Sequence, residues 1–242
     1  MLNVSWHIPR RAPRVLAATT SLALALASAC DLSDTHVAET PIARIEIVDL
    51  DGRHWDITQA VVRYGFDPDG FRFGLGASKV APFVLPRMAA AGDSGYPGPG
   101  DVSTVIGVGI AGPRAYRVDD LLDVEVVDDI VDGAPLALVV RPLLPGLSPS
   151  VHTRVVAGDT LTVSATGWVY EDQSVLFDFE SGSLWFRLSG DAHLTCINGP
   201  HLTGQLPARA AAVGPWADWR LAHPQTLFML RPPPSPPQRV SG

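Results

Sequence analysis

Apolar and polar positions alternate with period two in short runs along this chain, and each run is closed by Gly, Pro or Asp, the pattern of half-buried strands joined by tight turns. Residues 42–50 alternate in this way, and Asp51-Gly52 turns the chain into a second run over 53–57. Thr58 can cap a brief helix carrying Val61, Val62 and Tyr64 that stops at Gly65. Residues 80–96 read as loop, rich in Gly and Pro, with a helical turn near Met88. Beyond them the β-branched run 102–110 turns at Ala111-Gly112 and returns over 113–116. Runs 124–131 and 136–140 form a hairpin across Asp132-Gly133, and further strands are expected at 151–156, 160–165, 175–179 and 184–188, with one around Cys196. Residues 216–222 fit a short helix ended by His223-Pro224. There is no internal repeat and no long amphipathic stripe. The expected fold is mostly β (α+β), a single β-rich domain of short hairpin-connected strands with a few short helices.

The two ends do not share this pattern. Arg10, Arg11 and Arg14 precede an apolar run over 15–29, then Cys30. This is a charged region, a hydrophobic stretch of about fifteen residues and a small-residue cut site, shorter than the roughly 20 apolar residues of a spanning helix. Leu26-Ala27-Ser28-Ala29-Cys30 resembles the lipobox of bacterial lipoproteins, which implies a signal peptide over 1–29, lipidation of Cys30 and a linker over 30–41; plain secretion is the alternative. Residues 231–242 form a Pro-rich tail of polyproline II character. The folded domain is therefore placed at 42–230, in the cell envelope, facing periplasm or exterior, held to the membrane through its N-terminal lipid.

Composition narrows the chemistry. The 22 Gly and 22 Pro exceed the usual combined share of about 12% and suit a turn-rich chain. Basic residues number 18 against 25 acidic; less the three arginines of the leader they are 15 against 25, or −10. Such a surface argues against a nucleic-acid partner, which needs a basic footprint. Two cysteines exclude a disulfide framework and a four-cysteine zinc site.

Two motifs imitate enzymes. Gly107-Val-Gly109-Ile-Ala-Gly112 satisfies a dinucleotide fingerprint, but that fingerprint needs a helix starting within it, and Pro113-Arg-Ala-Tyr-Arg carries no helical stripe. It reads as a glycine-rich hairpin. Gly92-Asp93-Ser94-Gly95 looks like a serine-protease nucleophile loop, yet the chain before it is too short for the first barrel of that fold; a surface loop is expected.

Over residues 100–228 a further set of motifs falls in register: Val105-Ile106-Gly107-Val108, Arg114-Ala115-Tyr116, Val124-Glu125-Val126-Val127-Asp128-Asp129, Gly133-Ala134-Pro135 and Arg141-Pro142-Leu143-Leu144. Phe177-Asp178-Phe179-Glu180-Ser181-Gly182-Ser183-Leu184-Trp185, Trp216-Ala-Asp-Trp219 and His223-Pro224 follow. Together they resemble a bacterial envelope family known as domain of unknown function 3179, whose members carry a histidine and a Cys-Pro-Leu-Cys motif, sometimes with selenocysteine. The resemblance implies redox or metal-binding chemistry for the family, since a Cys-x-x-Cys pair beside histidine can cycle thiol and disulfide or hold a soft metal. Here the histidine position is Val124 and the cysteine positions are Arg141 and Leu144. With Cys30 lipidated, only Cys196 remains, so no disulfide can form within the chain.

The resemblance thus implies a degenerate member: a non-catalytic envelope lipoprotein binding a partner or small ligand, with no cofactor. The alternative is an envelope oxidoreductase or metal-binding protein whose site has moved. The residual motif residues are Arg114, Tyr116, Glu125, Asp128, Asp129, Arg141, Asp178 and Glu180. Glu125, Asp128 and Asp129 can offer oxygens to a hard cation or simply satisfy turn amides. Arg141 can face those carboxylates as a fixed internal charge. Asp178 and Glu180 can touch a ligand or cap a strand-end turn. His152, His193 and His201 lack ligand spacing, Cys196 reads as a buried inert thiol, and Trp168, Trp185, Trp216 and Trp219 read as core.

Overall fold

The alternating runs become antiparallel hairpins wherever a turn-forming pair follows them. The computed structural model describes residues 42–122, 124–140 and 149–231. Cys30, the segment through residue 41, Arg141 and the tail from residue 232 lie outside the described residues.

The expected hairpins are present. Glu46–Val48 pairs with His54–Asp56, Thr104–Val108 with Arg114–Arg117, and Val126–Val131 with Ala134–Val139. The last turns through Asp132 and Gly133 at φ 50° and 75°, the left-handed pair that a two-residue hairpin turn requires. Helix Thr58–Tyr64 ends at Gly65, φ 74°. Its start differs from expectation: the Asp56 carboxylate accepts the Thr58 N–H at 2.9 Å, while the Thr58 hydroxyl accepts the Ile45 N–H. Thr58 therefore ties the helix to the preceding strand and does not cap it. Residues near Met88 form a strand, Met88–Ala89, because Phe228 and Met229 lie opposite with free ladder positions. A helix absent from the sequence reading, Val118–Leu122, buries Leu121 between sheets.

The strands gather into three larger sheets. A six-stranded antiparallel sheet runs Gln205–Leu206, Leu194–Asn198, Leu184–Phe186, Gln173–Asp178, Val163–Tyr170, Arg72–Phe73. A four-stranded sheet runs Ser150–Thr153, Ala134–Val139, Val126–Val131, Phe83–Val84, and a five-stranded sheet runs Ala212–Pro215, Thr104–Val108, Arg114–Arg117, Leu227–Met229, Met88–Ala89. The fold is mostly β, as the alternation implied.

Packing stacks these sheets. One core joins Val126, Ala137 and Val139 of the four-stranded sheet to Val163, Leu176, Trp185 and Cys196 of the six-stranded one. A second joins Val127, Val131 and Leu138 to Ile106, Val108 and Tyr116 of the five-stranded sheet. The four-stranded sheet is thus covered on both faces, and its strand Val126–Val131 is buried at every position except Ile130. Trp55, Ile57 and Phe66 cover the outer face of the six-stranded sheet, and Trp216 covers that of the five-stranded sheet.

One stretch ties all three sheets together. Gln205 and Leu206 pair with the six-stranded sheet. The Pro207 carbonyl then accepts the Thr153 N–H at 2.9 Å, and the Arg209 N–H donates to Val151 O at 2.7 Å, both in the four-stranded sheet. Ala212–Pro215 finally pairs with the five-stranded sheet.

Candidate functional site

A buried strand carrying two consecutive aspartates must send them to opposite faces. Asp128 enters the interface with the six-stranded sheet, where its Oδ2 accepts the Val163 N–H at 2.8 Å. Asp129 enters the interface with the five-stranded sheet, where its Oδ2 accepts from Arg114 Nη1 at 2.5 Å and from the Tyr116 hydroxyl at 2.6 Å. Its Oδ1 accepts the Ile130 N–H. Burial and the adjacent Asp129 charge push the Tyr116 hydroxyl well above the ordinary phenol range. Tyr116 therefore stays a neutral donor, and the trio is a satisfied internal network.

Glu125 sits apart from both, in a left-handed turn at φ 58°. It accepts from Ser174 Oγ at 3.1 Å, and burial pushes its carboxyl up. Glu125, Asp128 and Asp129 are therefore not brought together, and they offer no shared pocket to a hard cation. Among the described residues no group of three or more His, Cys, Asp or Glu stands within metal-holding distance.

Among the described residues a buried arginine that faces a carboxylate is Arg154, which the sequence reading did not single out; Arg141, for which that role was expected, lies outside them. Its Nε lies 4.0 Å from Asp128 Oδ1, and Nη1 donates to Leu161 O. Among the described residues neither Nε nor Oδ1 has a hydrogen-bond partner. Burial outweighs the attraction of Arg154 and lifts the Asp128 carboxyl to about 7. No local signal marks Arg154, because its partner is distant in sequence and on another strand.

Asp178 and Glu180 close backbone. The Asp178 carboxylate accepts from the Ser181 N–H, Ser181 Oγ and Trp185 Nε1 at 2.6, 2.8 and 2.9 Å. Glu180 accepts the Thr162 N–H at 2.7 Å. Both act at the strand-end turn of Gln173–Asp178, one of the two roles the motif allowed. Cys196 is fully buried, with its thiol pushed up to about 11 by burial. His152 is also buried: Nε2 meets Ser150 Oγ at 2.9 Å and Nδ1 faces Leu206 O at 3.3 Å, and burial lowers its pKa to about 4. Gly92 to Gly95 form an exposed turn, as expected of a surface loop.

Where the polar motif residues are consumed by packing, the aromatic ones open a cleft of about 570 Å³ beside the glycine-rich hairpin. Gly107, Gly109, Ile110, Asp132, the stretch 208–212, Trp219 and His223 are among the residues that line it, and Ala212 pairs with Gly107 in the five-stranded sheet. Gly107 has no side chain because Trp219 occupies that space: a Cβ there would meet the indole at 2.2 Å. The His223 ring lies tilted against Trp219, with centroids 3.8 Å and planes 33° apart. Trp185 and Trp216 are core as expected, but Trp168 and Trp219 are only half-buried. For Trp219 the reason is that helix Trp216–Ala222 presents it at the cleft.

The hairpin amides are not free for phosphate. Asp132 reaches back from the neighbouring turn and accepts the N–H groups of Ile110, Ala111 and Gly112 at 2.8, 3.3 and 2.6 Å. These bonds hold its carboxyl below the usual range. The chain after Pro113 is strand, not helix, so the dinucleotide reading fails on both counts.

A family model described as Protein of unknown function (DUF3179) matches residues 84–237. The match begins earlier than the residue-100 boundary of the resemblance and takes in Met88–Ala89, an edge strand of the five-stranded sheet. No curated protein and no solved structure matches the chain.

Proposed function

The chain belongs to the DUF3179 family of proteins of unknown function, and from that starting point we propose that it is a non-catalytic cell-envelope lipoprotein that holds a small ligand in the cleft between the glycine-rich hairpin and Trp219. The observation that carries this reading is the cleft itself. Its size lies within the roughly 300–1,000 Å³ of small-molecule sites, and four residues of the family-like motifs, Gly107, Val108, Trp219 and His223, are among those that line it.

The non-catalytic part is supported by what occupies the reactive positions. Valine, arginine and leucine at 124, 141 and 144 supply neither thiolate nor imidazole. Cys196, the other thiol besides Cys30, is buried with a raised pKa, the state of an inert cysteine. The envelope part is supported by the lipobox-like sequence ending at Cys30.

Two measurements on the full chain expressed in a bacterial host test this. Metabolic labelling with an alkynyl fatty acid should mark the wild type and not Cys30→Ala; equal labelling of both removes the anchor. Native mass spectrometry of the purified protein should show a retained small molecule that Ala211→Trp, which fills the cleft, no longer carries. Stoichiometric metal in the same spectra would replace this reading with a rebuilt metal site.

A further inference from the structure

We infer that the free edge of strand Ala212–Pro215 pairs with the same edge of a second copy of this chain, antiparallel about a two-fold axis at Val213, so that two five-stranded sheets run on into one. The inference stands apart from the ligand reading above.

Backbone direction gives the first argument. Ala212–Pro215 ends the five-stranded sheet and pairs on one side with Thr104–Val108, Ala212 opposite Gly107 and Pro215 opposite Thr104. The next residue, Trp216, donates its N–H to Ser103 O at 2.9 Å. Bonded positions alternate along an antiparallel ladder, so Trp216, Gly214 and Ala212 turn inward to the sheet. Val213 therefore turns its N–H and C=O outward, as does Ala211 just before the strand, while Pro215 offers a C=O and no N–H. Among the described residues nothing bonds to that side. The other strands that end the three larger sheets are two residues long, except Ser150–Thr153, whose outer side holds Pro207 and Arg209.

Side chains and charge give the second. Exposed edges are commonly blunted by charged side chains, yet residues 210–217 carry none. Val213 shares a face with Ile106, its partner across the ladder; Ile106 is fully buried, whereas Val213 is 51% exposed. Ala211, Val213 and Pro215 form an exposed apolar strip on that face. Turned about the two-fold axis, the strip meets itself, Val213 against Val213 and Ala211 against Pro215. Bonds run both ways between the two Val213 residues, and from each Ala211 N–H to the opposing Pro215 O. The missing proline N–H leaves just the Ala211 C=O at either end, in reach of water. The nearest charged residues on the two sides of the strand, Arg209 and Asp218, are exposed and of opposite sign. An antiparallel copy brings unlike charge alongside at both ends; a parallel one would bring like to like. An interface this short buries less than the roughly 1,200 Å² of a stable complex, so the dimer is weak and depends on concentration.

The test uses the full chain in a Cys30→Ala background. In sedimentation runs from about 10 µM to about 1 mM, the range of weak association, the weight-average mass should climb toward a dimer. Val213→Lys, which sets two ammonium groups at the axis, should weaken association by roughly tenfold or more. Cα atoms of a bonded antiparallel pair lie about 5.5 Å apart, within disulfide reach. Val213→Cys should therefore give a disulfide-linked dimer on mild oxidation, whereas Leu221→Cys, exposed on helix Trp216–Ala222, should not. Should Val213→Lys fail to fold, the two cysteine variants decide. A mass that rises equally in Val213→Lys, or cross-linking of Leu221→Cys as readily as of Val213→Cys, would overturn the inference. A monomer at every concentration would overturn the second copy as occupant and leave the edge to an extended segment of another protein.

Discussion

Trp219 lies against Gly107 so closely that a single added methyl would come within 2.2 Å of its indole ring. The ring cannot simply retreat. Its Nε1 donates to Thr226 Oγ1 at 3.0 Å, and that hydroxyl donates to Pro113 O at 3.1 Å, fastening the indole to the same hairpin it covers. The contact joins helix Trp216–Ala222 to strand Thr104–Val108 and sets the side wall of the cleft.

Gly107→Ala should therefore destabilise the fold and disturb the cleft together. Overpacking of this kind costs about 1–3 kcal/mol, and each kcal/mol lowers Tm by roughly 2–4 °C in a domain of 150–250 residues. Calorimetric melting checks this; an unchanged Tm would mean Trp219 moves freely and the wall is soft.

Asp129 holds Arg114 and Tyr116 across two sheets, so Asp129→Ala should cost more than Tyr116→Phe. Loss of the carboxylate strands a buried hydroxyl and a guanidinium that is one-quarter exposed, for about 2–4 kcal/mol, discounted from the full buried-pair value because water reaches the arginine. Tyr116→Phe removes one donor and should cost about 1 kcal/mol. Urea unfolding midpoints rank the two, and a reversed ranking would show that Asp129 is not the anchor.

Asp128 and His152 should give stability opposite slopes with pH. The Asp128 carboxyl rises from 3.8 to about 7 on folding, so the folded state binds the extra proton between those values. Its contribution is fully present below about pH 4 and is lost as pH rises through about 7, a span on the order of 4 kcal/mol at most. His152 falls from 6.5 to about 4; its contribution is present above pH 6.5 and is lost as pH falls through about 4. Unfolding free energies of wild type minus Asp128→Asn, taken from pH 4 to 8, should decline with pH. A flat difference would mean that Asp128 ionises as it does in the unfolded chain.

Cys196 should resist thiol reagents. With its Sγ bonded to Asn198 O at 3.3 Å, full burial and a pKa near 11, the native protein at pH 8 should not react with Ellman's reagent at this position over an hour, in a Cys30→Ala background. Unfolding in guanidinium should release one thiol. Rapid native reaction would reopen a redox role.

Much of the fold was legible because hairpins are local. Alternation with period two, closed by Asp51-Gly52, Ala111-Gly112 or Asp132-Gly133, specifies both the strands and their register within a few residues. Strands Met88–Ala89 and Leu227–Met229 were not legible. They are too short for a period to register, and they are strands because each finds the other's edge. The site divides in the same way. That Asp128 and Asp129 point apart follows from their being neighbours on a strand. That one meets Arg154 and the other Arg114 with Tyr116 depends on which sheet covers each face.

The sequence by itself determined the mostly β class and the main hairpins. Each rests on residue identity or on contacts between near neighbours. Only the tertiary structure decided that Trp219 lines a cleft while Trp216 is core, that Asp132 occupies the glycine-rich amides, and that residues 205–215 bind three sheets into one unit. Those relations join segments up to more than a hundred residues apart, and their energy comes from burial and close fit, which exist only once the sheets have stacked.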